Sequence, residues 1–135
     1  MKKIDHIGIA VKDLKRSNNI FKKILGTSNY KEEIIEKEGV ITSFFQIGDV
    51  KIELLSSMKE GAPIDKYLSK NSEGIHHISF EVEDIYLEIK RLENEGFNFI
   101  EPKIRNGANN KKIAFLHPKE ANGVLIELSQ EKSKK

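Results

Sequence analysis

Apolar and polar positions alternate in short stretches along this chain, then switch to a helical spacing, and the switch happens twice. Residues 4–11 (IDHIGIAV) place Ile7, Ile9 and Val11 on one face of a strand and His6, Gly8 and Ala10 on the other. Asp13 is an N-cap for a helix whose apolar positions are Leu14, Phe21, Ile24 and Leu25, stopped by Gly26. Strands are predicted next over 30–36, 40–47 and 50–56, with turns at Glu38-Gly39 and Gly48-Asp49. The second half begins with a strand over 75–82. A helix follows, capped by Asp84, carrying Ile85, Ile89 and Leu92 and ending at Gly96. Strands over 98–101, 111–117 and 123–129 complete it. Pro63 opens a short helix between the halves.

The two halves are copies. IDHIGIAVKDL (4–14) and IHHISFEVEDI (75–85) match in kind at six of eleven positions, at an offset of 71. Lys51-Ile52-Glu53-Leu54 is echoed by Leu125-Ile126-Glu127-Leu128 at an offset of 74, which requires three extra loop residues in the second copy. The fold class is therefore α+β: two βαβββ modules, 1–56 and 75–129, pairing into an eight-stranded concave mixed sheet, within one chain or between two. Residues 57–74 form the linker with its short helix, and 130–135 a disordered tail.

Composition narrows the function. The 135 residues contain no cysteine, which excludes disulfides, thiolate metal sites and a thiol nucleophile. Lys and Arg total 23 against 21 Asp and Glu, with the signs interleaved. Without a continuous basic face or a platform of stacking aromatics, no nucleic-acid partner is expected. No apolar run is long enough for a membrane span, and MKKIDHIGIAV is too short and polar for a signal peptide, so the cytoplasm is the expected compartment.

Chemistry concentrates at two recurring pairs. The first strand of each module carries a histidine and the last a glutamate: His6 with Glu53, His77 with Glu127. A lone strand histidine is ordinarily structural, but here two residue types recur at matching places. Both glutamates sit inside apolar strands, where an unpartnered carboxylate is costly. Imidazole nitrogens and carboxylate oxygens together suit one borderline divalent ion (Co²⁺, Ni²⁺, Zn²⁺ or Mn²⁺), with coordination positions left for substrate. His76, by alternation, points to the other face.

The segments DHIGIAVKD, FFQIGDVKIELL, GIHHISFEVED and KKIAFLHPKEANGVLIEL resemble the methylmalonyl-CoA epimerases of the vicinal oxygen chelate (glyoxalase/bleomycin resistance) superfamily, over residues 3–129. The resemblance implies His6, Glu53, His77 and Glu127 as metal ligands, although some epimerases have Gln where Glu53 stands. It implies epimerisation of 2-methylmalonyl-CoA by α-proton abstraction through a metal-stabilised enediolate, with Glu127 as base. Some members carry a second base, a Glu, after the first module's Gly-Val turn; here that position is Thr42, a poor base, which leaves Glu53 as the symmetric partner. Gln46 would orient substrate, Lys111, Lys112 and Lys119 would meet coenzyme A phosphates, and His117 would line the site. A homodimer is expected from the same resemblance. Two rival readings remain on this fold: lactoylglutathione lyase (glyoxalase I), which uses the same ligand chemistry, and a metal-free small-molecule binding module, which typically lacks the ligand set.

Overall fold

In the computed structural model, which describes residues 1–131, the chain runs β1 (Lys3–Ala10), α1 (Leu14–Leu25), β2 (Lys31–Ile35), β3 (Val40–Ile47), β4 (Val50–Ser57) and α2 (Pro63–Lys70). It continues through β5 (Gly74–Glu81), α3 (Ile85–Asn94), β6 (Arg105–Asn106), β7 (Lys112–Leu116) and β8 (Ile126–Gln130). Two units result. The first is His6–His76; the second joins Met1–Asp5 to the chain from His77 onward.

In the first unit the strand order is β2-β3-β4-β1, with β1 parallel to β4 and β3 antiparallel to both its neighbours. Alternation along these strands sends apolar side chains to both faces. On one face Val11, Phe45 and Leu54 pack against Leu14, Phe21 and Leu25 of α1. On the other, Ala10, Val40 and Leu55 are sealed by Ile64, Tyr67 and Leu68 of α2. The caps of α1 are those the sequence specifies. Asp13 accepts from the Arg16 N–H at 3.0 Å, and Gly26 adopts φ 72° while its N–H donates to the Lys22 carbonyl. Ile24 departs from expectation and is 68% exposed. At 100° per residue it lies about 80° from Leu14, while Phe21 and Leu25 fall within about 20° of it.

The second unit has the order β5-β8-β7-β6, with β5 parallel to β8 and β7 antiparallel to both its neighbours. Asp84 caps α3 by accepting from the Tyr86 and Leu87 N–H groups. Ile85, Ile89 and Leu92 bury against Val82, Phe99, Ala114, Leu116 and Leu128. Each such side chain contributes about 1.5–3 kcal/mol by leaving water.

Three expectations are revised here. The strand expected over 98–101 is a single bridge between Phe99 and Leu116, and the edge strand forms later as the two-residue β6; Pro102, with no N–H to give a ladder, interrupts the segment. The last strand starts at Ile126, because residues 118–121 wind into a short 3-10 turn closed by Asn122 at φ 56°. Gln130, expected in the disordered tail, ends β8, and its Oε1 accepts the Ile85 N–H at 2.7 Å, fastening the start of α3. Of the rest of that expected tail, Glu131 is exposed and outside any strand, and 132–135 lie outside the described residues. Among the described residues no helix is long and apolar enough to cross a membrane.

Candidate functional site: two histidine–glutamate pairs

Register builds the first pair. On the parallel ladder of β1 and β4, Glu53 is opposite Gly8, two residues beyond His6, so histidine and glutamate occupy one face on a diagonal between neighbouring strands. Their long side chains lean together, bringing His6 Nε2 within 3.3 Å of Glu53 Oε1. Both residues are buried.

The second unit repeats the construction. On β5 and β8, Glu127 is opposite Ser79, again two residues beyond the histidine, and His77 Nε2 stands 3.8 Å from Glu127 Oε1. These two side chains are buried as well. The three-residue difference between the offsets is absorbed by the loop between β7 and β8, so register survives the insertion. A phenylalanine from the antiparallel neighbour faces each glutamate: Phe44 opposite Glu53 and Phe115 opposite Glu127. The Phe115 ring meets His77 edge-on at 6.2 Å.

The donor chemistry fits a divalent cation. Two donors each about 2.1 Å from one ion stand roughly 3.0–3.4 Å apart at coordination angles of 90–110°. The His6–Glu53 separation falls inside that range, and the His77–Glu127 separation lies a few tenths of an ångström beyond it. Hard carboxylate oxygens with imidazole nitrogens favour Zn²⁺, Co²⁺, Ni²⁺ or Mn²⁺ over soft ions.

The other singled-out residues are dispersed. Gln46 lies on the His6 face by register, with its Nε2 donating to the Gly48 carbonyl at 2.6 Å. Lys111 is buried and its Nζ stands 2.8 Å from Asp5 Oδ1. Lys112 lies opposite Gln130, on the α3 side of its sheet, where its Nζ donates to the Tyr86 hydroxyl at 3.2 Å and sits 5.0 Å from that ring. His117 and Lys119 are in the exposed loop after β7, with His117 Nδ1 accepting the Lys119 N–H at 3.3 Å. His76 meets the Tyr67 ring edge-on at 4.8 Å.

Sequence reasoning passed over Arg105. Its partner across the ladder is Ile113, which shares a face with Phe115 and Glu127, and its guanidinium carbon lies 5.6 Å from the centre of the Phe115 ring. This face therefore carries an arginine from β6. The only sequence signal for it was its position two residues from Gly107 in an irregular segment, too weak to single out an arginine.

With this geometry in view, comparison with known proteins is informative. A profile of the Glyoxalase/Bleomycin resistance protein/Dioxygenase superfamily matches residues 5–115. The ethylmalonyl-CoA/methylmalonyl-CoA epimerase of Cereibacter sphaeroides is 41% identical over 95% of this chain and 97% of its own length. The mitochondrial methylmalonyl-CoA epimerase of Dictyostelium discoideum is also 41% identical, over 95% of this chain and 78% of its own. A solved methylmalonyl-CoA epimerase in complex with methylmalonyl-CoA and NH₄⁺ superimposes with a TM-score of 0.92 at 32% identity, covering 98% of this chain and 96% of that one. Two βαβββ modules, a His–Glu pair in each, and likeness along nearly the whole chain lead to one conclusion: the chain belongs to the methylmalonyl-CoA epimerase family of the glyoxalase superfamily.

Proposed function

We propose that this protein is an isomerase that inverts the α-carbon of 2-methylmalonyl-CoA, with His6, Glu53, His77 and Glu127 together holding one divalent metal ion. The observation that carries this reading is the repeated register of histidine and glutamate on paired parallel strands, with all four side chains buried. It is supported by relatives and a substrate-bound structure that bear the epimerase name. A bound divalent cation would supply positive charge to oxygens that become negative as the α-proton leaves.

The protein's own groups do the rest. Glu127, buried beside His77 and Phe115, is the base: an oxygen turned toward the substrate accepts the α-proton. The Phe44 and Phe115 positions flank the two glutamates and limit water around the developing charge. Arg105, above the Phe115 ring, offers a planar cation for an anionic group of the substrate. Lys119, in an exposed loop, would be free to meet the coenzyme's phosphates, whereas the Lys111 ammonium is directed to Asp5.

Proton NMR of methylmalonyl-CoA in D₂O tests the reading. Metal-loaded protein should wash out the α-proton signal, and chelation should stop the exchange. An intact α-proton in the presence of demonstrably bound metal would reject the assignment; the methylglyoxal–glutathione hemithioacetal would then be the substrate to assay.

A further inference from the structure

Three cross-strand rows lie on the His6 face of the first unit, and they differ in character. Thr42, Leu55 and Ala10 form one, Phe44, Glu53 and Gly8 the next, and Gln46, Lys51 and His6 the third. Ala10 and Leu55 of the first row pack against Ile64, Tyr67 and Leu68 of α2, which closes that end with apolar groups. The third row is the polar end. Gln46 is exposed beside the turn between β3 and β4, and Lys51 is half-buried.

Lys51 carries the only ammonium in the three rows. It stands opposite His6 on the parallel ladder, on strands about 4.8 Å apart, and two residues before Glu53 on β4. It therefore shares a face with both members of the pair, whose Nε2 and Oε1 atoms are 3.3 Å apart. Its flexible four-carbon stem gives the ammonium reach to their level. The strand itself does not require a cation here, because the second copy has Leu125 at this point of the repeat. Nor does a divalent ion held by His6 and Glu53, since an ammonium beside it adds repulsion. The charge becomes favourable once an anion lies between the two.

We infer that Lys51 reads the free carboxylate of the substrate and so selects thioesters that carry a carboxylate on the α-carbon, an inference that rests on the function proposed above. The substrate holds negative charge in two places. Its phosphates lie beyond the whole pantetheine arm, whereas its carboxylate is bonded to the reacting carbon. A lysine in the same row as His6 is placed for the second. The carboxylate then accepts from the ammonium, and this charged hydrogen bond fixes which side of the α-carbon faces the first unit.

The test is calorimetric binding of methylmalonyl-CoA and of propionyl-CoA, which lacks only the carboxylate, to the metal-loaded protein. Lys51→Met should weaken methylmalonyl-CoA binding about 10-fold or more, the worth of one charged hydrogen bond, and leave propionyl-CoA binding unchanged. In turnover the loss should fall chiefly on KM. Lys51→Arg should recover most of the lost affinity. Lys23→Met, exposed on the helix that packs against the other face of the sheet, should alter neither ligand. Without thioester, Lys51→Met should hold the divalent ion at least as tightly as the native protein, a result that damage to the strand would not give. Equal weakening of both thioesters, or undiminished binding of methylmalonyl-CoA, would overturn the inference. A native protein that leaves the α-proton of methylmalonyl-CoA unexchanged would sink the proposed function, and the inference with it.

Discussion

The two halves of this protein share a register and differ at its margin. In both, a glutamate on the last strand lies opposite the residue two beyond a histidine on the first, and a phenylalanine faces the glutamate from the third side. At the rim the halves diverge. Opposite Thr42 stands Glu33; at the corresponding position, opposite Ile113, stands Arg105. Their supports differ as well. The first unit closes its His6 face with the apolar side chains of α2, while the second contains a buried ion pair between Lys111 and Asp5. Duplication thus preserves what two parallel strands must do to aim a donor pair, and leaves the edge strands able to acquire opposite charges.

The largest effect expected breaks the equivalence of the pairs. His6→Ala and His77→Ala should each lower divalent-metal affinity more than about 100-fold, beyond what loss of an outer-shell partner costs. Calorimetric titration reads this directly, and one variant with native affinity would show that the halves are not equivalent. Next is the ion pair special to the second unit. Asp5→Asn should cost about 3–5 kcal/mol in urea unfolding, because it leaves the Lys111 ammonium buried beside a neutral group. Combining it with Lys111→Met should cost less than the sum of the two single changes.

The helices sharpen the comparison at a smaller scale. Ile85→Ala on α3 removes a fully buried side chain and should cost about 2–5 kcal/mol. Leu25→Ala on α1, where Ser17 is the only buried residue, should cost roughly half as much or less. The smallest effect is on α3's surface. The Arg91 guanidinium, with Nε 2.9 Å from Glu88 Oε1, holds the Glu88 carboxyl below its usual range. A depressed folded-state pKa contributes stability above the ordinary carboxylate range, and that contribution is lost as pH falls through the lowered value. Because Arg91 is largely exposed, Glu88→Gln should remove less than about 0.5 kcal/mol near neutral pH, and nothing measurable in acid.

How much of this was readable beforehand follows from which forces are local. Strand alternation and the Asp13 and Asp84 caps are short-range signals, and their recurrence at an offset of 71 pointed to the βαβββ pattern and to both His–Glu pairs. What escaped depended on partners distant in sequence. Lys111 reads as a surface cation in a lysine-rich segment, yet its ammonium meets a carboxylate 106 residues away. Lys112 follows it directly, and alternation turns it to the α3 side, where Tyr86 receives it. Arg105 and Glu33 have ordinary local contexts; only strand pairing reveals that each stands on the face of a His–Glu pair. The expected strand over 98–101 failed for a similar reason, since its apolar run satisfies α3's core through Phe99 without forming a ladder.

The central claim is that two pairs, one from each copy, serve a single ion. Metal stoichiometry measured on the intact chain, by titration with Co²⁺ and elemental analysis after desalting, tests it most directly. The account predicts one tightly bound ion per chain, lost entirely in His6→Ala and equally in His77→Ala. Two ions per chain, or one His variant retaining a full-affinity ion, would contradict it.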